Sequence, residues 1–172
     1  MLELTIMGFL AEAPLHGYEL RRQVAHLSGY NRPVSDGSLY PAINRLVRDG
    51  LLERRTEPGK AAPQRGVLHL TDSGRVELHR RLHEPAEQDI TDFNRFAVIL
   101  AFLSRLPDVA DQHAVLRRRL AFLEEPASFF YDGDRPLRER EMTDPYRRGL
   151  FVVARAASQA ERTWLRQVLN QD

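Results

Sequence analysis

Apolar residues in the first part of the chain recur at helical spacing and are separated by turn-forming residues. Leu4, Met7 and Ala11 lie three and four residues apart, which is typical of one face of a helix. This helix should begin at about Leu2 and end before Pro14. Most of its residues are apolar, so we expect it to be buried.

Two further helices are predicted between residues 16 and 50. The second begins near His16 or Gly17 and shows one apolar stripe, Leu20, Val24 and Leu27. Ser35, Asp36 and Ser38 offer capping oxygens for the start of the third, and Gly50 marks its end. Its predicted buried stripe is Leu39, Ile43, Leu46 and Val47. The polar positions that remain should point outward: Ser38, Tyr40, Asn44, Arg45 and Arg48.

After Gly50 the pattern changes to that of extended chain. Residues 51–56 and 65–70 read as two strands joined by a Pro- and Gly-containing connection with Lys60 at its tip. Thr71 should cap a fourth helix that runs to Leu82. Because Pro85 interrupts the pattern, we place a domain boundary there, with residues 1–84 in the first domain and 85–172 in the second.

From about residue 86 onward we expect only helices, in three segments. The first, about residues 90–103, is apolar almost all round and should be buried. The second runs from Val109 and ends before Pro126, and the third follows a loop at residues 132–136. Apolar residues of the third segment alternate in steps of four and three: Tyr146, Leu150, Val153, Ala157, Ala160 and Trp164. This spacing is typical of an interface between helices and predicts a partner for this segment.

Three helices, a hairpin and a fourth helix are the elements of a winged helix-turn-helix. We therefore predict a mainly α fold, with a small β-hairpin wing, in which an N-terminal winged helix-turn-helix precedes a helical dimerisation region. In this fold the third helix enters the DNA major groove. Residues 32–81 carry ten cations and six anions, a net charge of +4, although the whole chain has a net charge of only +1. This distribution favours a nucleic-acid partner.

Several stretches between residues 2 and 82 resemble the PadR-like family of transcriptional regulators. The segment LHGYEL at residues 15–20 resembles the family's second helix, and VSDGSLYPA at residues 34–42 resembles its recognition-helix signature. The resemblance implies a sequence-specific, double-stranded DNA-binding regulator, and we expect a homodimeric repressor of an inverted-repeat operator. In the second wing strand the chain departs from the family, since Gly66-Val67-Leu68-His69 replaces a basic residue followed by two tyrosines.

The resemblance and the outward positions together give a set of expected DNA contacts on the third helix and the wing. These residues are Ser35, Ser38, Tyr40, Asn44, Arg45, Arg48, Lys60 and Arg65. A winged helix that binds another protein, without specific DNA binding, is the alternative. The basic outward face argues against that alternative.

Ten of the fourteen aromatic residues follow residue 85, which suits a pocket for a small aromatic effector that releases the DNA. Relatives that respond to phenolic or multi-drug ligands point in the same direction. Candidate ligand-binding residues are Phe93, Phe96 and Trp164. The same residues could instead be ordinary core.

The sequence does not contain the motifs of metal sites, common enzymes or membrane spans. The chain contains no cysteine, and the pair His79 and His83 lacks the glutamate of a zinc motif, so we expect no metal or other cofactor. No phosphate-binding glycine loop or Gly-x-Ser-x-Gly elbow is present, and we expect no enzyme activity. The longest apolar run, residues 96–103, is far shorter than the roughly 20 residues of a membrane span, and we expect a cytoplasmic protein.

Overall fold

The computed structural model describes residues 1–27, 29, 35–56, 66–126 and 128–170. Its helices are α1 (Leu2–Glu12), α2 (Gly17–Leu27), α3 (Asp36–Arg48), α4 (Asp72–His83), α5 (Glu87–Thr91), α6 (Phe93–Phe102), α7 (Val109–Glu124) and α8 (Pro145–Leu169). Its strands are β1 (Leu15–His16), β2 (Leu52–Arg55), β3 (Val67–Leu70), β4 (Tyr131–Asp132) and β5 (Arg135–Pro136). The predicted mainly α fold with a small β wing is confirmed. Within these residues, none of the helices has both the length and the apolar character needed to cross a membrane.

Helix α1 lies at the centre of the N-terminal part and is mostly buried, as predicted. Leu4, Ile6, Met7 and Leu10 expose almost no surface. The helix contacts α2, α3, α4, α6 and β3. Gly8 faces the ring of Phe102, and a Cβ at this position would lie 2.5 Å from the ring. A larger residue than glycine would therefore displace α6 from α1.

Helix α3 separates an apolar face from a polar one. Leu39, Ala42, Ile43 and Leu46 are buried. Three of these belong to the predicted stripe, whereas Val47 is only half-buried. Gly50 follows the helix with φ +72°, a left-handed conformation that glycine adopts without steric cost. The sequence therefore places both faces of this helix almost correctly.

The wing strands form a sheet with an additional short strand. Strand β3 lies in the middle and pairs antiparallel with β2, with Leu52 opposite Leu70 and Arg55 opposite Val67. On its other edge β3 pairs with β1, with Leu15 opposite Leu68. The sequence analysis did not predict β1, because two residues are too few to show an alternating pattern.

The start of α4 joins the wing to the helices. The Thr71 Oγ1 atom accepts a hydrogen bond from the Gly74 amide at 3.0 Å, which confirms the predicted cap. The same hydroxyl lies 2.7 Å from the carbonyl oxygen of Gly50 and 3.0 Å from that of Leu51. Gly74 packs so closely against the Leu51 carbonyl that no Cβ fits. One threonine and one glycine thus hold the end of α3, the wing and α4 together.

The chain divides into two compact units, Met1–Gln112 and His113–Asp172. This division lies later than the predicted boundary at residues 84 and 85, because α1 contacts α6. The first predicted C-terminal helix is two helices, α5 and α6. The carboxylate of Asp92 caps α6 by accepting from the Arg95 amide at 3.0 Å.

The expectation that only helices follow residue 86 is wrong in the second unit. Strands β4 and β5 form a small hairpin around Gly133, which has φ +59°. The sequence Asp132-Gly133 favours such a tight turn, so the predicted loop contains its own strand pair. Elsewhere in this unit, Arg119 on α7 makes two hydrogen bonds, of 2.7 and 2.9 Å, with Glu161 on α8. The pair is largely buried and joins the two long helices.

Gly74→Ala should destabilise the protein by about 1–3 kcal/mol, because the added methyl group collides with backbone that cannot move without disturbing the wing. The matched control is Gly149→Ala on α8, where a Cβ meets nothing within 4 Å. That substitution should stabilise by about 0.5–1 kcal/mol, since alanine is the better helix former. Urea unfolding followed by circular dichroism measures both changes. Equal effects of the two substitutions would contradict the close packing of Gly74 against the Leu51 carbonyl.

Candidate nucleic-acid interface

The polar face of α3 is exposed along its whole length. Six of the residues predicted to contact DNA lie at this surface: Ser35, Ser38, Tyr40, Asn44, Arg45 and Arg48. The other two, Lys60 and Arg65, lie outside the residues that the structure describes. We refer to the exposed residues of α3, together with Arg54 and Arg55 of β2, as the α3–β2 face.

Two serines mark the start of α3. The Ser38 hydroxyl donates to the Ser35 carbonyl oxygen at 2.9 Å, and the two hydroxyl oxygens are 3.3 Å apart. The Ser35 side chain caps no backbone amide of the helix. Both hydroxyls are therefore at the surface, beside the positive end of the helix dipole, where phosphate groups bind well.

Arg45 is held by an acidic residue of α1. Its Nε atom donates to Glu3 Oε1 at 3.1 Å, while Glu3 Oε2 lies 3.3 Å from Arg81 of α4. Arg81 also donates to Glu77 at 2.6 Å, and Glu77 accepts from Arg80 at 2.7 Å. This series of ion pairs connects α3 through α1 to α4. It orients the Arg45 guanidinium before any ligand is present.

The arginines on α4 change the ionisation of their shared partner. Hydrogen bonds from Arg80, and then from Arg81, lower the pKa of Glu77 from 4.5 to about 2, against a partial burial that raises it. The same pairing raises the pKa of Arg80. Glu77 is therefore a carboxylate throughout the physiological range.

The first wing strand contacts α3 directly. Arg54 donates to the Asn44 side-chain oxygen at 2.7 Å. This bond fixes the orientation of the Asn44 amide, so its nitrogen is directed away from Arg54. Arg48, near the end of α3, lies 3.2 Å from Asp49 with most of its side chain exposed. Arg55 pairs with Glu53 on the same strand.

Comparison of the sequence with known proteins identifies its family. The family model described as the transcriptional regulator PadR-like family matches residues 6–80. The transcriptional regulator Rv3488 of Mycobacterium tuberculosis is 38% identical over 90 residues, which cover 49% of this chain and 78% of that protein. The chain belongs to the PadR-like family of transcriptional regulators. The expectation of a regulator rather than an enzyme agrees with this family.

Two further similarities involve PadR of Bacillus subtilis. The negative transcriptional regulator PadR is 29% identical over 108 residues, which cover 61% of this chain and 59% of that protein. The chain thus matches about three fifths of that relative's length. The solved structure of Bacillus subtilis PadR in complex with operator DNA covers 98% of both chains, with 22% identity and a TM-score of 0.44.

The C-terminal residues predicted to dimerise share one exposed stripe of α8. They are Tyr146, Leu150, Val153, Ala157, Ala160 and Trp164. The three predicted ligand residues do not share a unit, because Phe93 and Phe96 belong to the first and Trp164 to the second. Phe93 is exposed, whereas Phe96 has no exposed surface and forms part of the core. Among the described residues, no group of three or more acidic or histidine side chains is placed to hold a metal ion.

Sequence reasoning missed two residues of this surface. Glu3 is the acidic residue of α1 that holds Arg45, and its signal was its position as a charge in a helix that is otherwise nearly apolar. Arg54 is one of the ten cations counted in residues 32–81, but its contact with Asn44 makes it a positioning residue. Both contacts join elements that only the folded chain brings together.

Glu77→Gln should lower stability at pH 7 by about 1–3 kcal/mol, since it removes charged hydrogen bonds from Arg80 and Arg81 to a partly buried carboxylate. Because the folded pKa of Glu77 is depressed, its contribution is present above pH 4.5 and disappears as the pH falls toward about 2. The difference between variant and parent should therefore be smaller at about pH 3 than at pH 7. Urea midpoints at the two pH values measure it. The same difference at both pH values for Glu77→Gln would contradict the assignment.

Proposed function

We propose that this chain is a homodimeric transcriptional repressor that binds an inverted-repeat operator through α3 and the wing. A small aromatic effector releases the DNA. The proposed contacts are those expected from the sequence: Ser35, Ser38, Tyr40, Asn44, Arg45, Arg48, Lys60 and Arg65. Because double-stranded DNA is the proposed partner, the proposed location is the cytoplasm.

The observation that carries this proposal is the exposed polar face of α3. The opposite face of the helix is buried against the core, so the outward residues are available to a ligand on a rigid support. Asn44, Arg45 and Arg48 are residue types that read base edges and bind phosphates. A helix of this length fits the major groove of B-form DNA.

The exposed stripe of α8 supports the dimer. Tyr146 is 88% exposed and Val153 is 68% exposed, although both belong to an apolar stripe of heptad-like spacing. A stripe of this kind is stable in water when a second helix covers it. The partner we propose is a second copy, since a two-fold dimer presents two recognition helices to the two halves of an inverted repeat.

A protein-binding winged helix remains the second candidate, and one observation favours it. Three of the four arginines of the α3–β2 face are paired with carboxylates, Arg45 with Glu3, Arg48 with Asp49 and Arg55 with Glu53. Such a face carries less net positive charge than its arginines alone suggest. Binding experiments with DNA distinguish the two functions, because a protein-binding module gains nothing from a particular base sequence.

Arg48→Ala should weaken binding to the operator by about 1–3 kcal/mol if Arg48 contacts a base edge. The duplex for this test is the intergenic DNA upstream of the protein's own gene, compared at one ionic strength with an unrelated duplex of equal length. Fluorescence anisotropy gives both affinities. Arg117→Ala, an exposed arginine on α7, is the matched control and should leave binding unchanged. Unaltered binding by Arg48→Ala would remove this residue from the interface, and absence of binding by the parent at low salt would favour the protein-binding function.

Val153→Glu should convert the dimer into a monomer, because it places a charge in the centre of the α8 stripe. The matched control is Gln159→Glu, an exposed position of α8 outside the stripe. Sedimentation velocity distinguishes monomer from dimer, and circular dichroism checks that both variants are folded. A folded Val153→Glu dimer would place the interface elsewhere.

A further inference from the structure

A cavity of about 690 Å³ opens within the second unit. Its walls are the end of α7, the segment that follows β5 and one side of α8, and we call it the α7–α8 cavity. The apolar part of its lining includes three phenylalanine rings, those of Phe122, Phe129 and Phe151. Phe129 and Phe151 contact each other edge to face, with 5.5 Å between ring centres. The rings offer a surface for a planar group.

The charges that line this cavity are strongly unbalanced. Five arginines surround it, with only two glutamates. The arginines are Arg138, Arg140, Arg148, Arg155 and Arg162. The glutamates, Glu125 and Glu139, leave a net charge of +3 on the lining. A lining of this kind attracts anions.

One of the two glutamates already lies between two of the arginines. Glu139 Oε1 is 3.5 Å from Arg148, and its Oε2 is 3.8 Å from Arg155. These separations are longer than those of a close ion pair, which are about 2.7–2.9 Å. In the part of the chain that the structure describes, Arg138, Arg140 and Arg162 show no ion pair with a carboxylate. The cavity therefore holds more guanidinium groups than the chain neutralises.

The spacing of the arginines indicates how many charges a ligand carries. Arg148, Arg155 and Arg162 are seven residues apart, which places their Cα atoms about 10 Å from one another along α8. A ligand with a single carboxylate engages one part of this row and leaves the rest unpaired. A ligand with separated anionic groups engages several of the arginines, while its ring system contacts the phenylalanines.

We propose that the α7–α8 cavity binds a small organic ligand with an aromatic body and at least two negative charges, and that Glu139 occupies the position of one anionic group until the ligand displaces it. This inference rests on the proposed function, because it gives the effector a chemical class and a site. The site differs from the effector residues expected from the sequence, since neither Phe93 nor Phe96 lines it.

The position of the cavity connects the ligand with the proposed dimer. Arg155 and Val153 are two residues apart, so their side chains leave α8 in nearly opposite directions. A ligand on the arginine side thus contacts the same helix whose other side carries the proposed interface. Displacement of Glu139 also breaks two ion pairs between the segment after β5 and α8.

Fluorescence titration of the full chain in the absence of DNA tests the site. The probe is bis-ANS, an aromatic disulfonate, which should bind saturably. Uncharged N-phenyl-1-naphthylamine should bind at least about ten-fold more weakly, because it lacks the charge-assisted bonds to arginine. Inorganic pyrophosphate, which has the charge but no ring, should compete poorly. Equal binding of the charged and uncharged probes, or no saturable binding of bis-ANS, would overturn the proposal.

Three variants locate the binding. Arg140→Ala combined with Arg162→Ala should weaken bis-ANS binding by about ten-fold, whereas the control Arg117→Ala should not change it. Glu139→Gln should strengthen binding several-fold, because it removes the competing carboxylate. Circular dichroism establishes that each variant is folded. A folded double variant with unchanged affinity, or a Glu139→Gln variant with unchanged or weaker affinity, would overturn the assignment. Because no DNA is present, this failure is distinct from a failure to bind an operator.

Discussion

The burial of α1 on several sides is the constraint on which the first unit depends. This helix contacts α2, α3, α4, α6 and β3, so the elements of the winged helix share one apolar support. Gly8 is part of that constraint because it allows the Phe102 ring to lie against the backbone of α1. With its inner face fixed in this way, α3 presents a polar face that is rigid before any ligand arrives. Such preorganisation lowers the entropic cost of binding.

Helices could be predicted from the sequence where the apolar pattern repeats over several turns or where a capping residue marks a terminus. Helices α3 and α4 belong to this group, because Gly50 and Thr71 mark their ends by local chemistry. The break between α5 and α6 could not be predicted in the same way, since the apolar positions continue across Asp92 and only its capping bond divides them. Strand β1 exists only because β3 lies beside it. Its two residues contain no local signal of their own.

In the candidate interface, too, the exposed positions could be predicted from the sequence, whereas the contacts between distant residues could not. Exposure of Asn44, Arg45 and Arg48 follows from the period of a single helix, and the sequence predicts it. Their partners do not follow from it, because Glu3 is 42 residues from Arg45 and Arg54 is ten residues from Asn44. Likewise, the buried pair of Arg119 and Glu161 joins residues 42 positions apart. Contacts of this kind depend on how the helices pack, which no local pattern encodes.

The internal carboxylate beside Arg45 has a consequence for the thermodynamics of DNA binding. A protein cation that neutralises a phosphate releases a counterion from the DNA, and this release makes affinity depend on salt. If a phosphate takes Arg45 from Glu3, the freed carboxylate attracts a cation from solution, so fewer ions are released in total. The same holds for Arg48 and Asp49. The salt dependence of binding would then count the arginines that were unpaired beforehand, and it would underestimate the number in contact with DNA.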